Sequence, residues 1–157
     1  MYMSIIIDNK LFLGCEFDAN NETMLKENNI TCIICVADNL IIRLNDPNIK
    51  VYKYNLQDDY ECNISLYFDE IGDIINNEKI VLVNCLAGIS RSSTIVIAYL
   101  MKYHHFKLKD AFLYVKSKRN QICPNKQFMD YLLDYEMQLF GINIMTYEEC
   151  RRLFFYT

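Results

Sequence analysis

Glycine and proline are scarce in this chain, with four glycines and two prolines among 157 residues. That excludes a Gly/Pro-rich linker, and with no internal repeat or low-complexity block the chain is predicted to form one domain. No apolar run approaches the ~18 residues of a membrane-spanning helix, so no membrane partner is expected. Met1 to Asp8 have neither the basic start nor the long apolar stretch of a secretory signal. Positive charge is short as well: 16 Lys and Arg face 20 Asp and Glu, a net charge of −4. A general nucleic-acid binder carries a basic surface, and no nucleic-acid partner is expected. The only histidines, His104 and His105, are adjacent and lack the spacing of zinc ligands. Seven cysteines, an odd number without the spacing of a disulfide framework, point to reduced thiols. The expected setting is the cytoplasm, with the nucleus a second one of the same redox character. Cys32 and Cys35 form a C-x2-C pair, but no second pair answers it. Residues three apart in a strand face opposite sides, so both are expected to be core.

What is present is a compact apolar pattern, 52% of the residues, arranged as an α/β order. Ser4 to Ile7 and Leu11 to Gly14 flank the polar Asp8-Asn9-Lys10, which is the grammar of a hairpin. Asp18 through Asn29 reads as a helix with Met24 and Leu25 inward, and Ile30 to Ala37 as a buried strand. Asp38 to Asn48 reads as a loop with a helical turn and a solvated Arg43, and Val51 to Leu56 as a third core strand. An acidic loop, Gln57 to Cys62, precedes a helix over 63–76, whose Ile64, Tyr67, Phe68, Ile71, Ile74 and Ile75 form an apolar stripe. Leu108 to Arg119 is an amphipathic helix, with Ala111, Phe112 and Val115 inward. Lys107, Lys109, Lys116, Lys118 and Arg119 are expected on its solvated face. Asn125 caps a last long helix that Gly141 stops. Residues 142–157 read as a tail with a short helix over 146–154, beyond a domain of residues 1–141.

The chemistry centres on Val83-Asn84-Cys85-Leu86-Ala87-Gly88-Ile89-Ser90-Arg91-Ser92-Ser93-Thr94. The β-branched run Lys79 to Val83 reads as a strand and Ile95 to Met101 as a buried helix, so Cys85 closes a strand and Arg91 opens a helix. A short loop entering a helix N-terminus converges its backbone N–H groups, and the helix dipole adds positive potential. Phosphate suits that cradle, and the same field favours the nucleophilic thiolate of a cysteine placed there. Arg91 can fork two N–H bonds onto phosphate oxygens, and Gly88 lets the backbone curl round the ligand. Cleaving a phosphate ester also needs a proton for the leaving oxygen, and a carboxylic acid on a loop supplies one. Asp58, Asp59 and Glu61 are the candidates, and the residues alone do not choose among them.

Cys85 to Arg91 resembles the C-x5-R loop of the cysteine-dependent protein phosphatases, most of all the dual-specificity branch and, within it, the MAP kinase phosphatases. The Tyr99-Leu100-Met101-Lys102 helix end, Asp110-Ala111, and Pro124-Asn125 followed by Phe128 are similar too, so the resemblance covers roughly residues 4 to 140. It implies a central four- to five-stranded sheet flanked by helices, and a phosphoprotein substrate, with a protein kinase among the candidates. It implies no metal and no cofactor. The family places its acid five residues before a helix of the Asn-Leu-Ser type, and counting back from Asn63-Ile64-Ser65 favours Asp58. Cys85 is then the nucleophile and Asp58 the general acid. Arg91 clamps the phosphate, and the Ser92 hydroxyl meets the leaving sulfur. The amides of Leu86, Ala87, Gly88, Ile89, Ser90 and Arg91 bind substrate. No lysine lies inside the loop, which favours phosphoproteins over inositol phospholipids, and short surrounding loops fit both phosphotyrosine and phosphoserine or phosphothreonine. One position departs from the family: Asn84 stands where a His before the cysteine is usual. Asn hydrogen-bonds but carries no charge, so a catalytically weak phosphoprotein-binding module is the alternative expectation.

Overall fold

The computed structural model describes residues 2–156. Five short strands form one mixed sheet: β1 (Ser4–Ile7), β2 (Leu11–Gly14), β3 (Cys32–Cys35), β4 (Lys50–Lys53) and β5 (Val81–Asn84), in the order β1-β2-β5-β3-β4. β1 pairs antiparallel with β2, as a hairpin with a three-residue polar turn must, and the other pairs are parallel. β5 lies in the middle and all of its residues are buried.

Side-chain alternation sorts the sheet into two faces. Phe12, Leu82 and Ile33 stand in one row, and pack with Ala19 and Leu25 in a smaller apolar cluster. The neighbouring rows, Leu11–Val81–Cys32 and Leu13–Val83–Ile34, point the other way into the larger core. The smaller side is covered by α1 (Glu16–Ala19) and α2 (Glu22–Glu27). The larger holds α3 (Phe68–Asn77), α4 (Arg91–Tyr103), α5 (Leu108–Lys118) and α6 (Lys126–Phe140). Every residue of α4 from Arg91 to Met101 is buried, because the helix lies against β5 and is enclosed by α3, α5 and α6. A 3-10 turn, Ile64–Tyr67, leads into α3.

Several expectations need correction. The helix predicted over 18–29 is two short helices, broken at Asn20 and Asn21, where the Asn21 side chain accepts from the Met24 N–H at 3.1 Å and starts α2 afresh. The third core strand is shorter than predicted and lies at the sheet edge, with Lys50, Val51 and Lys53 exposed. Edge lysines discourage pairing with another chain. Residues 38–48 form a loop without a helix, with turns only at 38–39 and 47–48. Cys32 and Cys35 are both fully buried in the core, as expected, and both join the larger cluster.

Two caps bound α6. The Asn125 side chain accepts from the Phe128 N–H at 2.9 Å to open α6, and Gly141, at φ 73°, closes it. Beyond it α7 (Tyr147–Tyr156) buries Cys150 and Phe154, and the Phe154 ring stacks on Phe112 at 4.1 Å. Glu136 is a fully buried carboxylate. It accepts from the Leu108 N–H at 2.7 Å, at the start of α5, and from Asn143 Nδ2 at 2.9 Å, in the α6–α7 connection. Glu136→Ala leaves the Leu108 N–H unpaired in the interior and takes one of two acceptors from Asn143 Nδ2, which keeps the Leu133 carbonyl, and is expected to cost about 1–3 kcal/mol, read as a lower urea midpoint. Glu136→Gln, which keeps an acceptor oxygen, is expected to cost less than half of that.

Candidate active site

β5 ends at Asn84, level with Gly14 of β2 and Cys35 of β3. The loops that follow these three parallel strands therefore rise from one edge of the sheet, the edge at which open α/β sheets bind ligands. The loop from Cys85 to Ser90 occupies the centre of that edge and runs into α4 at Arg91.

The carbonyls of this loop are held from outside it. Asn84 Nδ2 donates to the Cys85 carbonyl at 3.2 Å, and the Glu16 N–H to that of Leu86 at 3.1 Å. Arg119 reaches two more, Nη2 to Ala87 at 3.3 Å and Nε to Gly88 at 2.9 Å. The Cys123 N–H takes the Ile89 carbonyl at 2.9 Å, and the Thr94 N–H that of Ser90 at 3.0 Å. In a trans peptide the N–H points away from the C=O, and the chain has no cis bond among the described residues. With the carbonyls drawn outward, the N–H groups of Leu86 to Arg91 turn inward on one point, at the N-terminus of a thirteen-residue helix. Gly88 is required for the curl. Its φ is +69°, and a Cβ there would sit 2.6 Å from both the Gly14 carbonyl and Arg119 Nη2.

Cys85 lies buried at the base of this cradle with Sγ 3.1 Å from Ser92 Oγ. Arg91 is 8% exposed. Its Nη1 is fixed by Asp38 Oδ1 at 3.1 Å and by the Leu56 carbonyl at 2.9 Å, while its buried Nε has no partner among the described residues. The two acidic neighbours part company. Asp58 Oδ1 accepts from Ser90 Oγ at 2.8 Å and from Asn125 Nδ2 at 2.9 Å, which holds its carboxyl to the cradle. Asp59 Oδ1 instead accepts from the Glu61 and Cys62 N–H groups at 3.0 and 2.9 Å and shapes its own turn. Glu61 is exposed. Cys85, the six amides, Arg91, Ser92 and Asp58 are thus brought together, and Asp59 and Glu61 are not.

Arg119 corrects an expectation. The charge pattern predicts a solvated basic face for it, yet it is 2% exposed and ties the loop to the Tyr2 carbonyl and Ser4 Oγ at 3.1 and 3.2 Å. A signal was present: residues 108, 112, 115 and 119 keep the helical spacing of the buried stripe. Asp38 is a second residue that sequence reasoning passed over, because its partner Arg91 lies 53 positions away. Asn125 does two tasks, capping α6 and holding Asp58.

Burial pushes the Cys32 and Cys150 thiols up to about 12, and raises those of Cys35, Cys62 and Cys123 as well. These five remain protonated near neutral pH and are poor nucleophiles.

An α/β domain that sets a cysteine and an arginine around a loop of amides at a helix N-terminus has the build of a cysteine-dependent phosphatase. The family model for the dual specificity phosphatase catalytic domain matches residues 11–138. Human dual specificity protein phosphatase 14 is 42% identical over 139 residues, 86% of this chain and 70% of that protein. Dual specificity protein phosphatase 1 of Arabidopsis thaliana is also 42% identical, over 85% of this chain and 69% of that protein. Among solved structures, human DUSP28 superposes with a TM-score of 0.81 at 26% identity, covering 87% of this chain and 94% of that one. The human tyrosine phosphatase-like serine/threonine/tyrosine-interacting protein has a TM-score of 0.80 at 32% identity, over 87% and 97% of the two chains. The chain belongs to the dual specificity phosphatase family, and by that membership it is a protein phosphatase.

Two outcomes test the site. Arg119→Met frees two loop carbonyls, and is expected to weaken binding of inorganic phosphate about tenfold or more by calorimetry, ~1.4 kcal/mol. Brief iodoacetamide treatment of the native protein at pH 7 is expected to leave Cys32, Cys35, Cys62, Cys123 and Cys150 unlabelled in peptide mapping. Labelling of any of them ahead of Cys85 would contradict the arrangement.

Proposed function

We propose that the chain hydrolyses phosphotyrosine and phosphoserine or phosphothreonine in proteins through a phosphocysteine intermediate. The observation that carries this reading is the triangle of Ser90, Asp58 and Asn125. It sets a carboxylic acid at the mouth of a cradle whose floor is Cys85.

The substrate phosphate enters the ring of amides from Leu86 to Arg91, and the Arg91 guanidinium, oriented by Asp38 and Leu56, neutralises charge as it develops. The Cys85 thiolate attacks phosphorus in line, so that an S–P bond forms as the P–O ester bond breaks. Asp58 gives its proton to the departing oxygen. Two donors occupy Oδ1, so the transferable proton is carried on Oδ2. The Asp58 carboxylate then takes a proton from water, whose oxygen attacks phosphorus. Inorganic phosphate leaves, and the Cys85 thiolate is restored with the Ser92 hydroxyl to receive it. No lysine stands inside the loop, which supports phosphoproteins over lipids with several phosphates. A protein kinase is among the candidate substrates. Seven free cysteines support a reducing compartment, cytoplasm or nucleus, and no helix among the described residues is long and apolar enough to cross a membrane.

The binding-only alternative rests on Asn84. That side chain still donates to the Cys85 carbonyl, and a module that only binds has no use for an acid held beside the loop. Hydrolysis of para-nitrophenyl phosphate tests the reading. Wild type is expected to turn over and Cys85→Ser to be silent. Asp58→Asn should fall about 100- to 1,000-fold, in keeping with a general acid, while Asp59→Asn changes little. Asn84→His is expected to raise turnover severalfold by adding charge beside the thiol. A silent wild type with an active Asn84→His would overturn the proposal in favour of the binding module.

A further inference from the structure

Beside the cradle lies a cleft of about 870 Å³, lined by Cys15, Phe17, Leu86, Ile89, Asn120 and Gln121 among others. Two features mark it. None of its lining residues is charged. Three large apolar side chains that the core does not use stand open on it, Phe17 at 78% exposure, Leu86 at 53% and Ile89 at 37%. Apolar side chains gathered at a concave site, rather than scattered singly, mark a place where something binds.

The cleft is continuous with the cradle. Leu86 and Ile89 give backbone amides to one and side chains to the other. Both are fixed, since their carbonyls are held by the Glu16 and Cys123 N–H groups. Phe17 rides on α1, whose start is pinned by the Cys15 N–H on Asp18 Oδ2 at 2.8 Å. Consecutive Cα atoms are about 3.8 Å apart, so the shelf lies within reach of the next one or two residues of a peptide with its phosphate in the cradle. An acidic or second phosphorylated residue would lose its water there without finding a cation. On the other rim Asp58 and Glu61 are exposed and Asp59 is half-buried, and they repel acidic flanks as well.

We infer that the Phe17–Leu86–Ile89 shelf is a specificity subsite, occupied by an apolar side chain of the substrate within two residues of the phosphorylated one. It selects singly phosphorylated sites in apolar surroundings over acidic or doubly phosphorylated ones. This rests on the phosphoprotein reading above, so the test separates the two. Two phosphotyrosine peptides are compared, identical except for Leu or Glu at the two positions on each side. Binding to the Cys85→Ser protein is measured by calorimetry, and turnover of the same peptides by wild type in parallel.

The Leu peptide is expected to bind at least tenfold tighter, and Phe17→Lys in the Cys85→Ser background to cut that ratio at least fivefold. Phe17→Leu, which keeps an apolar side chain, should retain most of it. Equal binding of the two peptides, or a ratio that Phe17→Lys leaves untouched, overturns the subsite whatever wild type does in turnover. A tenfold preference in binding with no turnover by wild type upholds the subsite and overturns the catalytic reading instead.

Discussion

The constraint on which this molecule depends is the outward capture of the loop carbonyls. Six consecutive peptide groups cannot turn their N–H groups toward one empty point unless their carbonyls find partners elsewhere, because a buried carbonyl without a donor is costly. The donors come from Asn84, the start of α1, Arg119 at the end of α5, Cys123 ahead of α6, and α4 itself. The sheet order explains how they converge. With β5 between β2 and β3, the segments after β2 and β5 share one edge, and the helices on the larger face bring Arg119 and Cys123 round to meet them. The cradle is therefore a product of the whole fold rather than of its own six residues.

The same loop positions the acid. Ser90 contributes its backbone to the cradle and its hydroxyl to Asp58, and Asn125 donates to both, through its N–H to Ser90 Oγ and its Nδ2 to Asp58. The Asp58 carboxyl and the cradle are thus held in register by two short polar side chains. This joins the acidic loop to the start of α6, and it explains why that helix begins with an asparagine that does more than cap it. Arg91 completes the coupling from the other side, because its anchor at the Leu56 carbonyl lies just ahead of the acidic loop.

What could be read in the sequence follows the range of the interactions. The hairpin was legible to the residue, since two short apolar runs around a polar turn encode it locally. The strand, loop and helix around Cys85 were legible for the same reason, and so was the stop at Gly141. The break at Asn20 and Asn21 was missed because helical spacing runs through it, and only the Asn21 cap shows that the chain starts again. The choice between Asp58 and Asp59 could not be made from neighbours that look alike, because what separates them is Ser90, 32 positions on. Arg119 shows the same limit more sharply. Its charge argued for solvent while its helical position argued for the core, and only two carbonyls about thirty positions back and one at the N-terminus explain how both hold.

Asn84 shows how far one substitution can depart from a family pattern without dismantling a site. The position is fully buried, and its side chain must bond what surrounds it. Its Nδ2 reaches the Cys85 carbonyl and lies 3.7 Å from Cys35 Sγ, while its Oδ1 has no partner among the described residues. An unpaired buried acceptor costs about 1–3 kcal/mol. What Asn84 retains is the outward hold on the first carbonyl of the cradle, so the amide of Leu86 still turns inward. What it gives up is the charge that an imidazole could carry. Geometry and charge, which a single histidine would supply together, are here separated. The cradle keeps its shape through the amide, and the field on the sulfur is left to the ring of N–H groups, the terminus of α4 and Arg91.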